Sequence, residues 1–172
     1  MTQSPHRLIS FDVRSQRVGF LVLEPANRVL NFGVKRFDTG AAKARTPARQ
    51  RLEALLRQFQ PDVVVLRNSI PRTIEGYATF RAIMSAVGHF AKDHDIKVVG
   101  IRPRQIREAF PGCRNKYEVA AAVFARLPDL SWEPPVRRKC YEPEDPRMSI
   151  FDAAAVAMAY LDSAGKPKPS CQ

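Results

Sequence analysis

Leu8-Ile9-Ser10-Phe11-Asp12-Val13-Arg14-Ser15-Gln16-Arg17-Val18-Gly19 is the stretch that decides the fold. Leu8 to Val13 is apolar on both faces apart from Ser10 and Asp12, the pattern of a strand in the middle of a sheet. Arg14-Ser15-Gln16 reads as a turn, and Val18 to Leu23 returns as a second strand. Glu24-Pro25-Ala26-Asn27 carries turn residues, and Val29 to Phe37 predicts a third strand, broken by Gly33. Two short connections between three strands imply an antiparallel meander.

Downstream, the period changes. Leu52, Leu55, Leu56 and Phe59 recur at helical spacing, with Thr46 as the expected N-cap and Pro47 at the first helical position. Asp62-Val63-Val64-Val65-Leu66 is a short buried strand. Ile74 to His94 predicts a long helix with Ile74, Tyr77, Met84, Val87 and Ala91 on one face and Phe80, Ile83 and Phe90 on an adjoining one. So wide an apolar surface suits packing on two sides, or on one side and a partner. Lys97 to Ile101 is a strand, Pro103 opens a short basic helix, and Tyr117 to Leu127 is a further helix. Pro128 to Pro146 holds five prolines and the run Arg137-Arg138-Lys139, and reads as a long surface loop. Asp145-Pro146 then marks the start of a last helix through Phe151, Ala155, Met158 and Leu161, and the tail 165–172 is expected to be disordered. The order predicts one α/β domain over 1–164: a five-stranded mixed sheet with helices on both faces, the fourth strand parallel to the first.

The 172 residues suit a single domain with a sizeable core. Lys and Arg number 28 against 17 Asp and Glu, a net charge of +11 that favours a polyanionic partner, since each neutralised phosphate releases counterions. Cys113, Cys140 and Cys171 include no C-x-x-C pair, so neither a zinc site nor a disulfide framework is expected. No apolar run is long enough for a bilayer, and Met1 to Arg7 lacks a signal-peptide core. A cytoplasmic protein without membrane attachment is the expectation.

Asp12 is the most informative single residue. A carboxylate at the end of an apolar strand needs a partner, either a divalent cation or an arginine such as Arg14 or Arg17. Asp152 lies within the alanine-rich run Phe151-Asp152-Ala153-Ala154-Ala155, where small neighbours let a helix approach a sheet closely. Its alternative role is an exposed carboxylate favoured by the helix macrodipole.

Phe11 to Gly19 resembles the opening strand and turn of RuvC-type Holliday-junction resolvases, and is similar to the Asp-x-Gly-x-Lys-Arg-Ile-Gly opening of the YqgF family. Pro61 to Arg67 resembles the next key strand. Gly112 with Asn115-Lys116-Tyr117-Glu118-Val119 is similar to the stretch where a lysine opens a helix, and Phe151 to Ala157 resembles the closing acidic helix. These pieces follow in order from residue 8 to 161. The resemblance implies a ribonuclease H-like fold and a nuclease using Mg²⁺ or Mn²⁺, in which two metals about 4 Å apart clamp the attacking and leaving oxygens of a phosphodiester. It makes Asp12 and Asp152 the metal ligands and catalytic residues, and it places Lys116 near substrate phosphates.

The departures from that pattern are specific. Arg67 stands where the resolvase pattern has Glu, Ser149 where it has Asp, and Arg14 where glycine usually follows the first Asp. A guanidinium beside a dication is repulsive and cannot shed its proton. Glu75, Glu144 and Asp145 are the candidate substitutes. Asp145 lies seven residues before Asp152 and would face a similar direction on a regular helix, though its other role is an N-cap. Arg14, Arg104, Arg107, Lys116, Arg137, Arg138 and Lys139 are the candidate phosphate track. Trp132 and Tyr141 flank its loop section, to stack on bases or anchor the loop.

Two functions follow. One is a metal-dependent nuclease acting on structured nucleic acid, branched DNA foremost and RNA as the alternative, and working as a homodimer because a four-way junction has two symmetric cuts. The other is a member that kept the fold and nucleic-acid binding but lost the metal. A kinase- or actin-type relative is disfavoured, since those proteins need two lobes and glycine-rich phosphate loops.

Overall fold

The computed structural model describes residues 7–36 and 45–164, the side chains of residues 45–48 and 75 excepted. Strands β1 (Leu8–Val13), β2 (Arg17–Glu24) and β3 (Arg28–Arg36) form the antiparallel meander. Strand β4 (Val63–Arg67) lies parallel beside β1, and β5 (Lys97–Ile101) parallel beside β4. The sheet order is therefore β3-β2-β1-β4-β5, the mixed five-stranded arrangement expected from the element order. Helices α1 (Arg45–Phe59) and α2 (Ile74–Asp93) cover one face, and α3 (Pro103–Ala109), α4 (Lys116–Arg126) and α5 (Met148–Ala164) the other. The cap expected at Thr46, the tail 165–172 and Cys171 lie outside the described residues or side chains.

The period of two along each strand sorts side chains between these layers. Ile9 and Phe11 of β1 join Phe20, Val22, Val64 and Leu66 against α1 and α2. Leu8 joins Leu21, Leu23, Val63 and Val65 against α4 and α5. Ser10 and Asp12 share the face of Leu8, and the buried Ser10 hydroxyl donates to the Ala153 carbonyl of α5 at 2.8 Å. Helix α5 is buried almost all round from Met148 to Tyr160, with Asp152 the exception. Its alanines and Gly19 of β2 let helix and sheet touch backbone to backbone: a β-carbon on Gly19 would stand 2.0 Å from the Ser149 carbonyl oxygen.

Three expectations change. Strand β3 runs through Gly33, which pairs with Phe20; its register irregularity lies instead at Leu30, the extra residue between Val29 and Asn31 opposite Val22 and Leu23 of β2. Gly33 leaves room for the Phe20 ring, whose edge would lie 3.1 Å from an added β-carbon. On α2, Ile74 is 90% and Tyr77 43% exposed, and the buried stripe is Thr79, Ile83, Ala86, Val87, Phe90 and Ala91. The first turn of α2, capped by Thr73 Oγ1 on the Gly76 amide, borders an open cavity rather than the core. Helix α5 begins at Met148, after a tight turn closed by Met148 N–H to Asp145 C=O and Ser149 N–H to Pro146 C=O.

Candidate functional site

Strand parity and the β1–β4 register bring the site together. Phe11 pairs with Leu66, so Asp12 and Arg67 leave the sheet at the same level, on the face covered by α5. From α5, Asp152 reaches the same spot. The Arg14 guanidinium spans the two carboxylates: Nε donates to Asp12 Oδ2 at 2.7 Å and an Nη to Asp152 Oδ2 at 2.6 Å. Arg14 is aimed there by the turn in which its amide donates to the Arg17 carbonyl at 2.8 Å. A second guanidinium, Arg67, stands with an Nη 3.7 Å from the other oxygen of Asp12, beyond hydrogen-bonding distance.

A second set of contacts flanks this centre. Arg17 donates from Nε to Ser149 Oγ at 2.8 Å and from an Nη to Glu144 Oε2 at 2.5 Å. Lys116 donates to the other oxygen of Glu144. The Lys116 helix is fixed by Asn115, whose side chain accepts from the Tyr117 and Glu118 amides. Asp12, Asp152 and Glu144 are thereby interleaved with Arg14, Arg17, Arg67 and Lys116.

The ionisation of these groups follows their surroundings. Burial works against the Arg14 charge, but Asp12 and Asp152 outweigh it and hold its pKa above the ordinary value. Asp152 moves the other way, from 3.8 up to about 6, first because it is buried and next because Asp12 is close; Arg14 and Arg67 offset only part of this. The partners differ because Arg14 meets two carboxylates, whereas Asp152 has a share of one guanidinium. For Glu144, burial would raise the pKa, but the hydrogen bond from Lys116 and the charges of Arg14 and Arg17 bring it below the usual value.

The remaining predicted residues divide. Asp145 accepts from the Arg147 amide and guanidinium and from Arg138, chiefly the Arg147 bonds holding its pKa at about 2. It closes the turn that precedes α5 instead of capping the helix, and its carboxylate belongs to those arginines. The side chain of Glu75 is outside the described residues. Arg104 pairs with Glu108 on the exposed face of α3, and Arg137 and Lys139 are exposed on the loop, away from the cavity walls. Trp132 packs edge-on against Phe32 at 5.7 Å, an anchoring contact, while Tyr141 is exposed beneath Lys139.

Two cavities flank the centre. One, of about 430 Å³, is walled by Arg14, Arg17, Arg67 and Arg72 against Asp12 and Glu144. The other, of about 210 Å³, is walled by Arg67, Arg107, Arg114 and Lys116 against Asp152. Sequence reasoning does not single out Arg17, Arg72 and Arg114 for these walls. Their signal was proximity: Arg17 follows the Asp12 turn, Arg72 precedes the α2 cap, and Arg114 lies two residues before Lys116.

A dication needs several oxygen ligands in a negative field. Here the two converging carboxylates share a guanidinium, a second guanidinium takes the place of the expected Glu, and Ser149 offers a hydroxyl that already accepts from Arg17. Among the described residues no three His, Cys, Asp or Glu side chains gather as metal ligands. The described residues therefore do not fit Mg²⁺ or Mn²⁺.

No protein-family model and no curated protein matches the chain. Solved structures do. RuvC of T. thermophilus in complex with Holliday junction substrate aligns at 22% identity and a TM-score of 0.70, over 92% of this chain and 94% of that one. The yeast mitochondrial Holliday junction resolvase Ydc2 aligns at 13% identity and 0.60, over 90% and 77%. The fowlpox virus resolvase with its Holliday junction DNA aligns at 13% identity and 0.59, over 93% and 99%. The chain has the ribonuclease H-like fold. Among the described residues no helix is long and apolar enough to cross a membrane.

Proposed function

We propose that this protein binds branched DNA through a ribonuclease H-like domain and does not cleave it by the metal-dependent route. The observation that carries the reading is the Arg14 guanidinium set between Asp12 and Asp152, where the resemblance would place a cation. Binding is supported by the cationic walls of both cavities and the net charge of +11. It is supported also by the solved structures of the same fold that hold Holliday junction DNA. A homodimer belongs to the proposal, because a four-way junction presents two symmetric halves to a two-fold protein. The nuclease reading has one observation in its favour, the convergence of Asp12 and Asp152 on one spot.

The deciding experiment offers four-way DNA junctions, flaps, duplex DNA and structured RNA, with EDTA, Mg²⁺ or Mn²⁺, to the wild type and to Asp12→Asn. Junctions should be retained over duplex and RNA, equally in EDTA and in metal, and recovered uncut. Affinity should fall steeply with salt, as expected when several phosphates are neutralised. Metal-dependent cleavage that disappears in Asp12→Asn would return the protein to the nucleases, and failure to retain junctions would remove the proposed partner.

A further inference from the structure

Arg67 is the residue whose charge the site leaves least answered. Arg14 is engaged with Asp12 and Asp152, and Arg17 and Lys116 with Glu144. Among the described residues Arg67 has only the 3.7 Å approach to Asp12, and its Nε is buried with no hydrogen-bond partner there. A guanidinium carries five N–H donors, and leaving a buried charged donor unmatched is costly. The guanidinium is about one-third exposed, and an anionic oxygen is the acceptor that would answer its charge as well as its donors.

Position says where that oxygen would come from. Arg67 walls both cavities, with Arg72 and Arg17 on one side and Arg107, Arg114 and Lys116 on the other. The carboxylates in the same walls are already bonded to Arg14, Arg17 and Lys116. A small cation arriving there meets fixed positive charge, whereas a phosphate meets a planar fork suited to bidentate oxygen.

Building on the DNA-binding reading above, we propose that Arg67 grips a backbone phosphate directly, with the strand passing from one cavity to the other across it. The site that resemblance assigns to a cation is, in this chain, an oxyanion site.

The probe is inorganic phosphate, titrated into the full-length protein while the Arg67 Nε–H signal is followed by NMR; Arg67→Lys identifies the signal and keeps the charge. Phosphate should shift that signal saturably, and Arg67→Gln should bind phosphate about tenfold more weakly, the effect of losing a charge-assisted hydrogen bond. Arg72→Gln, an exposed substitution that leaves the core alone, should weaken binding less. Adding an unlabelled four-way junction should displace phosphate, as a backbone phosphate occupying the same place would. Phosphate bound equally by wild type and Arg67→Gln, phosphate retained beside bound junction, or selective broadening of the Arg67 signal by Mn²⁺ would each overturn the assignment. Junction binding without a phosphate response at Arg67 sinks this inference and leaves the proposed function standing. A phosphate response without junction binding does the reverse.

Discussion

Gly19 of β2 and Ser149 of α5 meet with no room for a side chain between them: a β-carbon on the glycine would lie 2.0 Å from the serine carbonyl oxygen and 2.7 Å from its Cβ. The contact sets the depth at which α5 sits on the sheet, and hence the reach of Asp152 toward Arg14.

Gly19→Ala should therefore destabilise by about 3 kcal/mol or more, at the upper end for overpacking because the obstacle is backbone rather than a movable side chain. Urea denaturation checks it. Gly88→Ala is the control: nothing lies within 4 Å of its β-carbon position. Replacing a helical glycine by alanine there should stabilise by up to about 1 kcal/mol. A Gly19→Ala protein as stable as the wild type would mean that α5 is not seated as described.

The Asp152 carboxyl gives the fold a pH signature. Its pKa is about 6 in the folded protein against 3.8 for a free side chain, because it is buried and close to Asp12. The folded state holds this proton more tightly than the unfolded chain does. The resulting stabilisation is full below pH 3.8 and is lost as pH rises through 6. The displacement corresponds to about 3 kcal/mol. Asparagine at 152 imitates the neutral acid at every pH. Asp152→Asn should thus gain stability relative to the wild type between pH 4 and pH 8 by about that amount. Chemical denaturation of both proteins across the range tests this, and a difference that stays flat or narrows with pH would contradict it.

Much of the arrangement was legible because strand parity is a strong rule. A run apolar on both faces located β1, short turns gave the meander, and the crossover set β4 parallel to β1, where the register then brings Arg67 level with Asp12. The failures share a cause: local spacing cannot say what a residue meets across the fold. Ile74 and Tyr77 have helical spacing with Val87, yet the first turn of α2 borders a cavity and leaves them exposed. Asp145 lies two helical turns from Asp152 only on a continuous helix, and α5 starts at Met148. Glu144, next to it, is the carboxylate that faces Arg17 and Lys116. Arg14 and Arg17 were both possible partners of Asp12, but a single guanidinium spanning Asp12 and Asp152 depends on a contact 138 residues apart.

If guanidinium has taken the place of a cation, restoring the carboxylates should restore cation binding. Arg14→Gly removes the group between Asp12 and Asp152, Arg67→Glu replaces the second guanidinium, and Ser149→Asp adds a carboxylate where Arg17 Nε, now 2.8 Å from the serine hydroxyl, can pair with it. The triple variant gathers four carboxylates, a donor set that suits a hard dication. Without metal it should be less stable than the wild type, since like charges then face one another in a partly buried site. Mn²⁺ at one hundred times its dissociation constant should return about 2.7 kcal/mol of stability. The wild type should show no comparable rise in melting temperature at the same Mn²⁺ concentration, and Arg14→Gly alone only a fraction of it. Equal stabilisation of wild type and triple variant by Mn²⁺ would show that Arg14 and Arg67 do not keep the cation out, and the metal-free reading would fall with that result.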